Sequence, residues 1–324
     1  MSILKLQVVQ SIIKELSSTV RVNRFSSDKI PKFIFICGEQ IINDDGTVKS
    51  REELQRQGNK RQVIIDKLNN NSNHNIVCVI SEKIYNNSIR LDTLTFEELL
   101  AELSDKIIII VESYGTVCEL GAFTVKEEYL DRLLVINDDK YEYVKSFVNE
   151  GPVCKIKEKN EENYILAPYN YNLFKSNFQI NEYIRNMKES DLVIIPNNNS
   201  KELDLKNFIY ELVNIIELFQ PIEIYELFYI FKKVKGFESY EVKNRIKHSI
   251  NSPSKIISLM EKMELIKIEE GYIIKNGDYT CYNALFNINR DKYNNLRQKV
   301  VYEIIKKYPE RFKVDKDADI TINE

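Results

Sequence analysis

The stretch Lys106–Phe123, KIIIIVESYGTVCELGAF, decides the fold that the sequence predicts. It opens with four isoleucines and Val111, a short β-branched run that is typical of a strand buried on both faces of a parallel sheet. The polar residues and Gly115 that follow predict a loop at the carboxyl edge of that sheet, where ligands of open α/β sheets bind. Thr116 is a candidate cap for a helix that carries Glu119.

Two carboxylates, Glu112 and Glu119, flank this predicted loop. In one interpretation, Glu112 is an ordinary loop residue and Glu119 is a solvated residue of the first helical turn, where it offsets the helix dipole. In the other, the small residues Gly121 and Ala122 allow a ligand to approach, and a carboxylate beside such a loop acts as a nucleophile or accepts a sugar hydroxyl. The residues alone leave both interpretations open.

Predicted strands and helices alternate on either side of this stretch. The other predicted strands are at 33–37, 76–80 and 133–136. The predicted helices are at 61–68, from Thr95 with a capping-box spacing to Glu98, and at 141–148. The polar segment 38–60 is predicted to be a loop or lid. This order predicts parallel βαβ units with right-handed crossovers, and therefore an α/β fold with a flavodoxin- or Rossmann-like parallel sheet.

Helical patterns dominate both ends of the chain. Within residues 1–30, apolar residues from Leu4 to Leu16 recur at helical spacing and predict a helix that packs on the domain or on a second subunit. Residues 203–324 predict several helices and, at 265–275, a small hairpin, in the order of a winged helix-turn-helix. The predicted division is an N-terminal helix (1–30), an α/β domain (31–156), a connecting segment (157–202) and a winged-helix-like helical domain (203–324).

The amino-acid composition limits the kinds of catalytic site that this chain can form. The 324 residues carry a net charge of -3, and no apolar run approaches the length that spans a bilayer. The five cysteines are scattered and mostly lie in apolar runs, which predicts reduced core thiols in a cytoplasmic protein. The two histidines, His74 and His248, form no metal-binding or triad pattern. We therefore expect no metal or cofactor, and we expect carboxylates to carry any catalysis.

The pattern Glu112–Phe123 resembles the core motif of nucleoside 2-deoxyribosyltransferase-like enzymes, and within that group it is most similar to the effector proteins of type II retrons. Three further segments are similar in the same order. They are Phe33–Gly38, Leu134–Asp138 and Ser146–Val153. The chain departs from the family at Tyr114, at Glu39, and around Glu82, the positional candidate for a second acidic residue. These departures affect the choice of substrate more than the reaction class.

The resemblance implies a site and a reaction. Glu119 matches the catalytic glutamate of the family, and the implied reaction is cleavage of the N-glycosidic bond of NAD+ or a related nucleotide, with NAD+ as substrate rather than cofactor. The substrate-binding residues that it implies are Cys37, Gly38, Glu82, Glu112, Ser113, Gly115, Thr116, Phe123, Asn137 and Asn149. The implied partners are the retron reverse transcriptase and its multicopy single-stranded DNA (msDNA), and self-association is expected.

An alternative function is a nucleotide-sensing regulator that binds DNA through the winged helix without catalysis. The charge balance from residue 221 onward is 19 Lys and Arg against 16 Asp and Glu, which is barely basic for a duplex binder. A local basic stripe is still predicted as a nucleic-acid or protein contact. It consists of Lys243, Arg245, Lys247 and Lys255.

Overall fold

The computed structural model of the protein describes residues 2–23, 25–26, 30–43, 45–70, 75–85, 91–187, 193–194, 202–243 and 252–312. The strands in these ranges are β1 (Phe25–Ser26), β2 (Lys32–Cys37), β3 (Ile76–Val79), β4 (Lys106–Ile110), β5 (Leu133–Asp138), β6 (Tyr164–Ala167), β7 (Val193–Ile194), β8 (Glu202–Asp204), β9 (Glu241–Lys243), β10 (Ile266–Glu269) and β11 (Tyr272–Lys275). The α-helices are α1 (Gln7–Ser17), α2 (Arg51–Gln57), α3 (Lys60–Asn69), α4 (Ser81–Ile84), α5 (Thr93–Leu103), α6 (Tyr114–Thr124), α7 (Glu127–Leu130), α8 (Cys154–Lys159), α9 (Tyr171–Ser176), α10 (Phe178–Arg185), α11 (Leu205–Phe219), α12 (Ile224–Lys235), α13 (Pro253–Lys262) and α14 (Arg290–Lys307).

The chain divides into two compact units. We call residues 31–192 and 244–247 the sheet unit, and residues 1–30, 193–243 and 248–324 the helical unit. The sheet unit contains a five-stranded sheet in the order β3-β2-β4-β5-β6, with every neighbouring pair parallel. Counted from its first strand this is the order 2-1-3-4-5, one of the two common doubly wound arrangements. The predicted α/β class and parallel sheet are confirmed.

The predicted central strand is β4, and Ile107, Ile108, Ile109 and Ile110 are fully buried on both faces of the sheet. Alternate side chains of β2 and β4, such as Ile34 and Ile108, join a core with residues of α3, α9 and α10. On the other face, Phe35 of β2 packs edge-on against Phe123 of α6. Helices therefore cover both faces, which explains why these strands are apolar runs without alternation.

Several predicted boundaries in the sheet unit need correction. The predicted loop at 38–60 contains helix α2, which Ser50 caps and Gly58 ends in a left-handed conformation. Helix α5 begins at Thr93 with Asp92 as its cap, two residues before the predicted start. In place of a helix at 141–148, the chain forms a short 3-10 turn at Asp139–Tyr141 and a π-helical turn at Asn149–Val153.

The segment 157–202 contributes more than a connection. Tyr164–Ala167 within it forms β6, the fifth strand of the sheet, and pairs in parallel with β5. Only Ile165 and Ala167 of this strand are buried, so it is an edge strand with a weak apolar signal. The sequence at 191–196 also predicts an edge strand, and Val193–Ile194 within it forms β7, which pairs with β1 in a separate two-stranded antiparallel sheet. The Asn-rich stretch 197–200 lies outside the described residues.

In the helical unit, α1 packs on α12 and α14. It covers only Gln7–Ser17, so the predicted helix over 1–30 is too long. Its buried residues Val9, Ile12, Ile13 and Leu16 face this core, so the predicted apolar stripe is covered within the same unit. Self-association stays a prediction, but this stripe is not its surface.

The winged helix also stays a prediction. Helix α12, helix α13 and the antiparallel hairpin β10–β11 follow in the expected order. The second helix of a winged helix-turn-helix is expected at about 241–248 in the sequence, but Glu241–Lys243 forms strand β9, which pairs in parallel with β8. Strand β9 places β-branched Val242 in a buried position, which favours an extended backbone there. Residues 244–251 lie outside the described part of the chain.

Two compositional expectations can be compared with the structure. Along the described ranges, no helix is both long and apolar enough to cross a membrane. All five cysteines are free, but only Cys37 and Cys281 are buried, whereas Cys118 and Cys154 are exposed. The prediction that the cysteines are mainly core thiols is therefore wrong for Cys118 and Cys154, because each falls on the outer face of its helix.

Candidate active site

The strand order creates a crevice at one edge of the sheet. From β2 the chain crosses to β3 on one side and later returns to β4 on the other, so the segments that follow the carboxyl ends of β2 and β4 lead to different sides of the sheet. Ligands of doubly wound sheets bind at this switch point. Cys37 ends β2 here, and its register partner on β4 is Ile109. The motif around Glu112 and Glu119 begins just beyond β4, so the topology brings both predicted segments to one place.

Arg61 of α3 reaches across this edge and connects the segments that follow β2 and β3. The side chain is 3% exposed, and its Nη1 donates to both oxygens of Glu82, at 2.9 and 2.7 Å. Its Nη2 donates to the carbonyl oxygen of Gly38. A Cβ atom at Gly38 would lie 3.2 Å from Arg61 Nε and 3.3 Å from Glu112 Oε1, so a side chain there would crowd this contact. Glycine at this position therefore leaves room for the close approach of Arg61.

Glu119 lies on the second turn of α6, facing the end of β2. The Cys37 thiol is within hydrogen-bonding reach of its carboxylate. Glu119 Oε2 is buried and, among the described residues, has no hydrogen-bond partner. Burial raises the pKa of Glu119, although the Cys37 hydrogen bond and the charge of Arg61 oppose this. The same surroundings raise the pKa of Cys37, first through burial and then through the charge of Glu119.

Glu97 of α5 is the second buried carboxyl group of the site. It is 9% exposed and makes hydrogen-bonding contacts with Glu119 and Ser81. Burial, followed by the charge of Glu119, raises the pKa of Glu97 to about 7. Two neighbouring carboxyl groups with raised pKa values can hold a proton between them near neutral pH. Glu82, Glu97, Glu119 and Cys37 form what we call the carboxylate cluster.

Glu112 belongs to a separate arrangement beside this cluster. Its Oε1 accepts a hydrogen bond from the backbone N–H of Glu39 at 2.7 Å, and its Oε2 lies 3.0 Å from Lys60 Nζ. Oε1 therefore ties the loop after β4 to the turn after β2, and Oε2 ties the same loop to the start of α3. Glu39, one of the departures from the family pattern, contributes its backbone N–H group to this contact.

The turn between β4 and α6 is held by its own side chains. Ser113 caps α6, its Oγ accepting from the Thr116 N–H at 3.2 Å. Thr116 is 1% exposed, and its Oγ1 accepts from the N–H groups of Glu112 and Ser113 at 3.1 and 3.0 Å. Ser113, rather than the predicted Thr116, is the cap, because the helix begins at Tyr114. Gly115 is exposed in the first turn.

The other predicted substrate residues lie in different surroundings. Phe123 is 2% exposed and packs edge-on against Phe35 and Tyr129. Asn137 is buried, and its Nδ2 donates to Tyr164 Oη at 3.2 Å. Asn149 Nδ2 donates to the carbonyl oxygens of residues 141 and 144, both at 2.8 Å, and closes a surface loop. The structure thus joins Cys37, Glu82 and Glu119 in one cluster. Phe123, Asn137 and Asn149 lie outside this cluster and make the separate contacts just described.

Sequence reasoning missed Glu97 and Arg61. The leucines of α5 predict one buried face of this helix. Glu97 lies on a second buried face together with Ala101 and Ser104, which follow it by four and seven residues. A carboxylate in line with small buried residues is a signal that could have found it. Arg61 was assigned only to a helical period, and no local pattern marks an arginine that reaches across a sheet edge.

A wide cleft of about 1640 Å³ lies elsewhere in the sheet unit. Its lining includes Lys32, Ile76 and Lys106, the first residues of their strands, and none of the carboxylate cluster. Since open parallel sheets bind ligands at the carboxyl edge, we place the candidate active site at the cluster rather than in this cleft. Within the described residues, no group of acidic, histidine and cysteine side chains could hold a metal ion.

Of the predicted nucleic-acid contacts, Lys255 is half-buried on α13 and Lys243 lies on β9. Arg245 and Lys247 lie outside the described residues. Their contact with nucleic acid stays a prediction.

A family model described as the STM3845 retron effector protein matches residues 57–268, which include α3, the carboxylates of the site and the helical unit from β7 into β10. The chain belongs to this family of retron effectors. The predicted retron resemblance is therefore confirmed at the level of the family.

Two relatives of this retron effector come from Escherichia coli. One is the candidate ribosyltransferase/DNA-binding protein of retron Ec73, which is 25% identical over 289 residues, or 84% of this effector and 89% of the relative. The other is the candidate ribosyltransferase/DNA-binding protein of retron Ec86, which is 38% identical over 77 residues, or 24% of this effector and 25% of the relative. The first similarity extends over both units.

Proposed function

We propose that this retron effector is an N-glycosidase with a nucleoside deoxyribosyltransferase-like sheet domain, that NAD+ or a related nucleotide is its substrate, and that Glu119 is its catalytic carboxylate. The observation that carries the proposal is the Glu119 carboxylate, which lies at the switch point with one buried oxygen that has no partner among the described residues. The names of the Ec73 and Ec86 relatives, which include ribosyltransferase, point to the same class of chemistry.

The reaction suits a site built from carboxylates. When the N-glycosidic bond breaks, its electron pair moves to the nicotinamide nitrogen, which changes from cationic to neutral and needs no proton. Positive charge develops at C1′ of the ribose, where an ionised Glu119 stabilises it or forms a glycosyl-enzyme bond. Water then adds at C1′ and releases one proton.

The surrounding residues support this role through position and charge. The Cys37 thiol and the Arg61 guanidinium both favour the ionised form of Glu119 despite its burial. The capped turn at Ser113 and Thr116 fixes the start of α6, and so fixes the position of Glu119 relative to β2. Exposed backbone at Gly115 gives the first turn of α6 an open approach for hydroxyl or phosphate oxygens.

The test is to incubate the purified full-length effector with NAD+ and to measure released nicotinamide by chromatography. We expect release by the parent protein and none by Glu119→Gln, since a neutral amide cannot offset oxocarbenium charge. Glu128→Gln, at an exposed glutamate of the same unit, is the matched control and should behave as the parent. Stable NAD+ with the parent protein would exclude this substrate, and release by Glu119→Gln would exclude this residue.

We further propose that the retron reverse transcriptase and its msDNA hold the effector through the region from about residue 221 onward. The relatives' names include DNA-binding, and the predicted basic stripe lies in the segment that follows α12. Charge reversal at Lys243, Arg245 and Lys247 should weaken recovery in pull-downs and lower the salt dependence, because each lost phosphate contact reduces counterion release. Unchanged recovery of this variant at two salt concentrations would rule the contact out.

A further inference from the structure

Glu97 and Glu119 come from different helices and meet above the end of β2. Helix α5 contributes Glu97, which is 9% exposed, and α6 contributes Glu119, one oxygen of which is fully buried. Their carboxyl groups are within hydrogen-bonding reach of each other.

The positive charge around Glu97 and Glu119 is too small to neutralise two carboxylates. The groups that face it are the Cys37 thiol from β2, Ser81 and Glu82 from α4, and Arg61 from α3. Arg61 is engaged by both oxygens of Glu82 and by the carbonyl of Gly38. Among the described residues, no other cation pairs with Glu97 or Glu119. Two buried carboxylates in contact cannot both ionise without such a partner, so one proton stays with the pair.

The surroundings decide which residue keeps that proton. Glu119 receives the thiol hydrogen bond and the attraction of Arg61, both of which favour its charge. The Ser81 hydroxyl favours the charge of Glu97, whereas the charges of Glu119 and Glu82 oppose it. The direction of the pKa shift agrees, since the pKa of Glu97 is raised to about 7.

We propose that Glu97 is a positioning residue for Glu119: its protonated carboxyl group donates a hydrogen bond to the Glu119 carboxylate and so keeps that carboxylate ionised and oriented toward the substrate. This inference rests on the proposed glycosidase function. The active form of the pair carries one proton. Removal of this proton abolishes activity, and so does the addition of a second proton. The effector therefore has an alkaline limit that belongs to Glu97.

The pH profile of NAD+ cleavage tests this role. Glu97→Gln keeps a donor for Glu119 and an acceptor for Ser81 but cannot titrate. We expect parent activity to fall about tenfold per pH unit above the pKa of Glu97, and we expect Glu97→Gln to lack this fall while staying within about fivefold of the parent at pH 6.5. Glu97→Leu, which cannot donate, should lose about a hundredfold or more at every pH. Glu98→Gln, on the same helix and paired with Lys126, is the control and should follow the parent.

Carboxyl ¹³C NMR of the full-length protein without substrate separates this inference from the glycosidase proposal. We expect one glutamate to titrate near neutral pH in the parent and that titration to be absent in Glu97→Gln. If the parent cleaves no NAD+, the proposed substrate fails, while the titration still decides whether the pair holds a proton. An alkaline fall that persists in Glu97→Gln, full activity in Glu97→Leu, or no neutral titration in the parent would overturn the role of Glu97.

Discussion

Both units of this effector place glutamate carboxyl groups away from solvent, but the two units differ in whether a cation pairs with them. In the helical unit, Glu226 is fully buried and accepts from Arg311 Nη1 at 2.8 Å and Nη2 at 2.9 Å, as well as from two backbone N–H groups. Although burial opposes it, these partners lower the pKa of Glu226. Glu211 and Glu217 likewise pair with Lys235 and Lys275, at 3.1 and 3.3 Å. In the sheet unit, Glu97 is buried and Glu119 is half-buried, their carboxyl groups lie within hydrogen-bonding reach of each other, and among the described residues neither forms an ion pair with a cation.

The difference separates a structural carboxylate from a functional one. A buried glutamate that is matched by a cation and hydrogen bonds holds elements together, as Glu226 does for the residues at Ile3, Glu223 and Arg311. A buried glutamate without such a match costs stability, and proteins keep such groups where chemistry needs them. The charge balance around a buried side chain is thus more informative here than its burial.

The largest expected effect comes from breaking the matched network. Arg311→Met should lower the free energy of unfolding by about 3–5 kcal/mol, because it leaves the charge of Glu226 buried without its cation. Urea denaturation of the full-length protein measures this. Arg290→Met removes an exposed arginine, and this control should cost less than about 0.5 kcal/mol. Equal effects of the two substitutions would show that the network does not hold the unit.

The unmatched pair predicts a pH-dependent stability. In the unfolded chain Glu97 ionises near the ordinary glutamate pKa of 4.5, whereas in the folded protein its pKa is about 7. Between these values the folded state binds more protons at Glu97, so the parent loses stability as the pH rises, and Glu97→Gln lacks this contribution. The stability of Glu97→Gln relative to the parent should therefore increase by about 3 kcal/mol between pH 4.5 and pH 7.5. Denaturation curves at the two pH values measure it, and a constant difference would contradict the raised pKa.

The smallest expected effect concerns the cap of α6. Ser113→Ala removes the hydrogen bond to the Thr116 N–H and should cost about 1 kcal/mol, whereas Ser113→Asp, also a good cap, should cost only a few tenths. Thermal denaturation distinguishes the two. If Ser113 serves only as the cap, NAD+ cleavage should follow stability in both variants, and a loss of cleavage in Ser113→Asp alone would indicate contact with the substrate.

Local sequence signals predicted the strands that matter most and the place of the site. Four consecutive isoleucines have one common explanation, a strand buried on both faces, and β4 is that strand. Strand alternation with helices then predicts a parallel sheet, whose carboxyl edge must carry Cys37, Glu82 and Glu119 together. Strand β6 was missed because an edge strand needs only two buried residues, and Asn- and Glu-rich neighbours hide that signal.

The chemistry of the site depends on contacts that no local pattern records. Glu97 lies 22 positions before Glu119 in the sequence, and Arg61 lies 21 positions before its partner Glu82. The two members of each pair lie on helices that follow different strands, so each pair forms only when the folded sheet brings those helices to the same edge. The sequence shows that these residues can ionise, but only their surroundings determine which of them remain charged.

The most direct test of the central distinction measures cleavage of NAD+ and thermal stability together in Glu119→Gln and Glu226→Gln. We predict that Glu119→Gln loses cleavage by about a thousandfold or more with a melting temperature equal to or above that of the parent. We predict that Glu226→Gln melts about 10 °C lower and still cleaves NAD+ at temperatures where it is folded. Glu119→Gln with cleavage within tenfold of a parent that is active would contradict the assignment of the catalytic carboxylate.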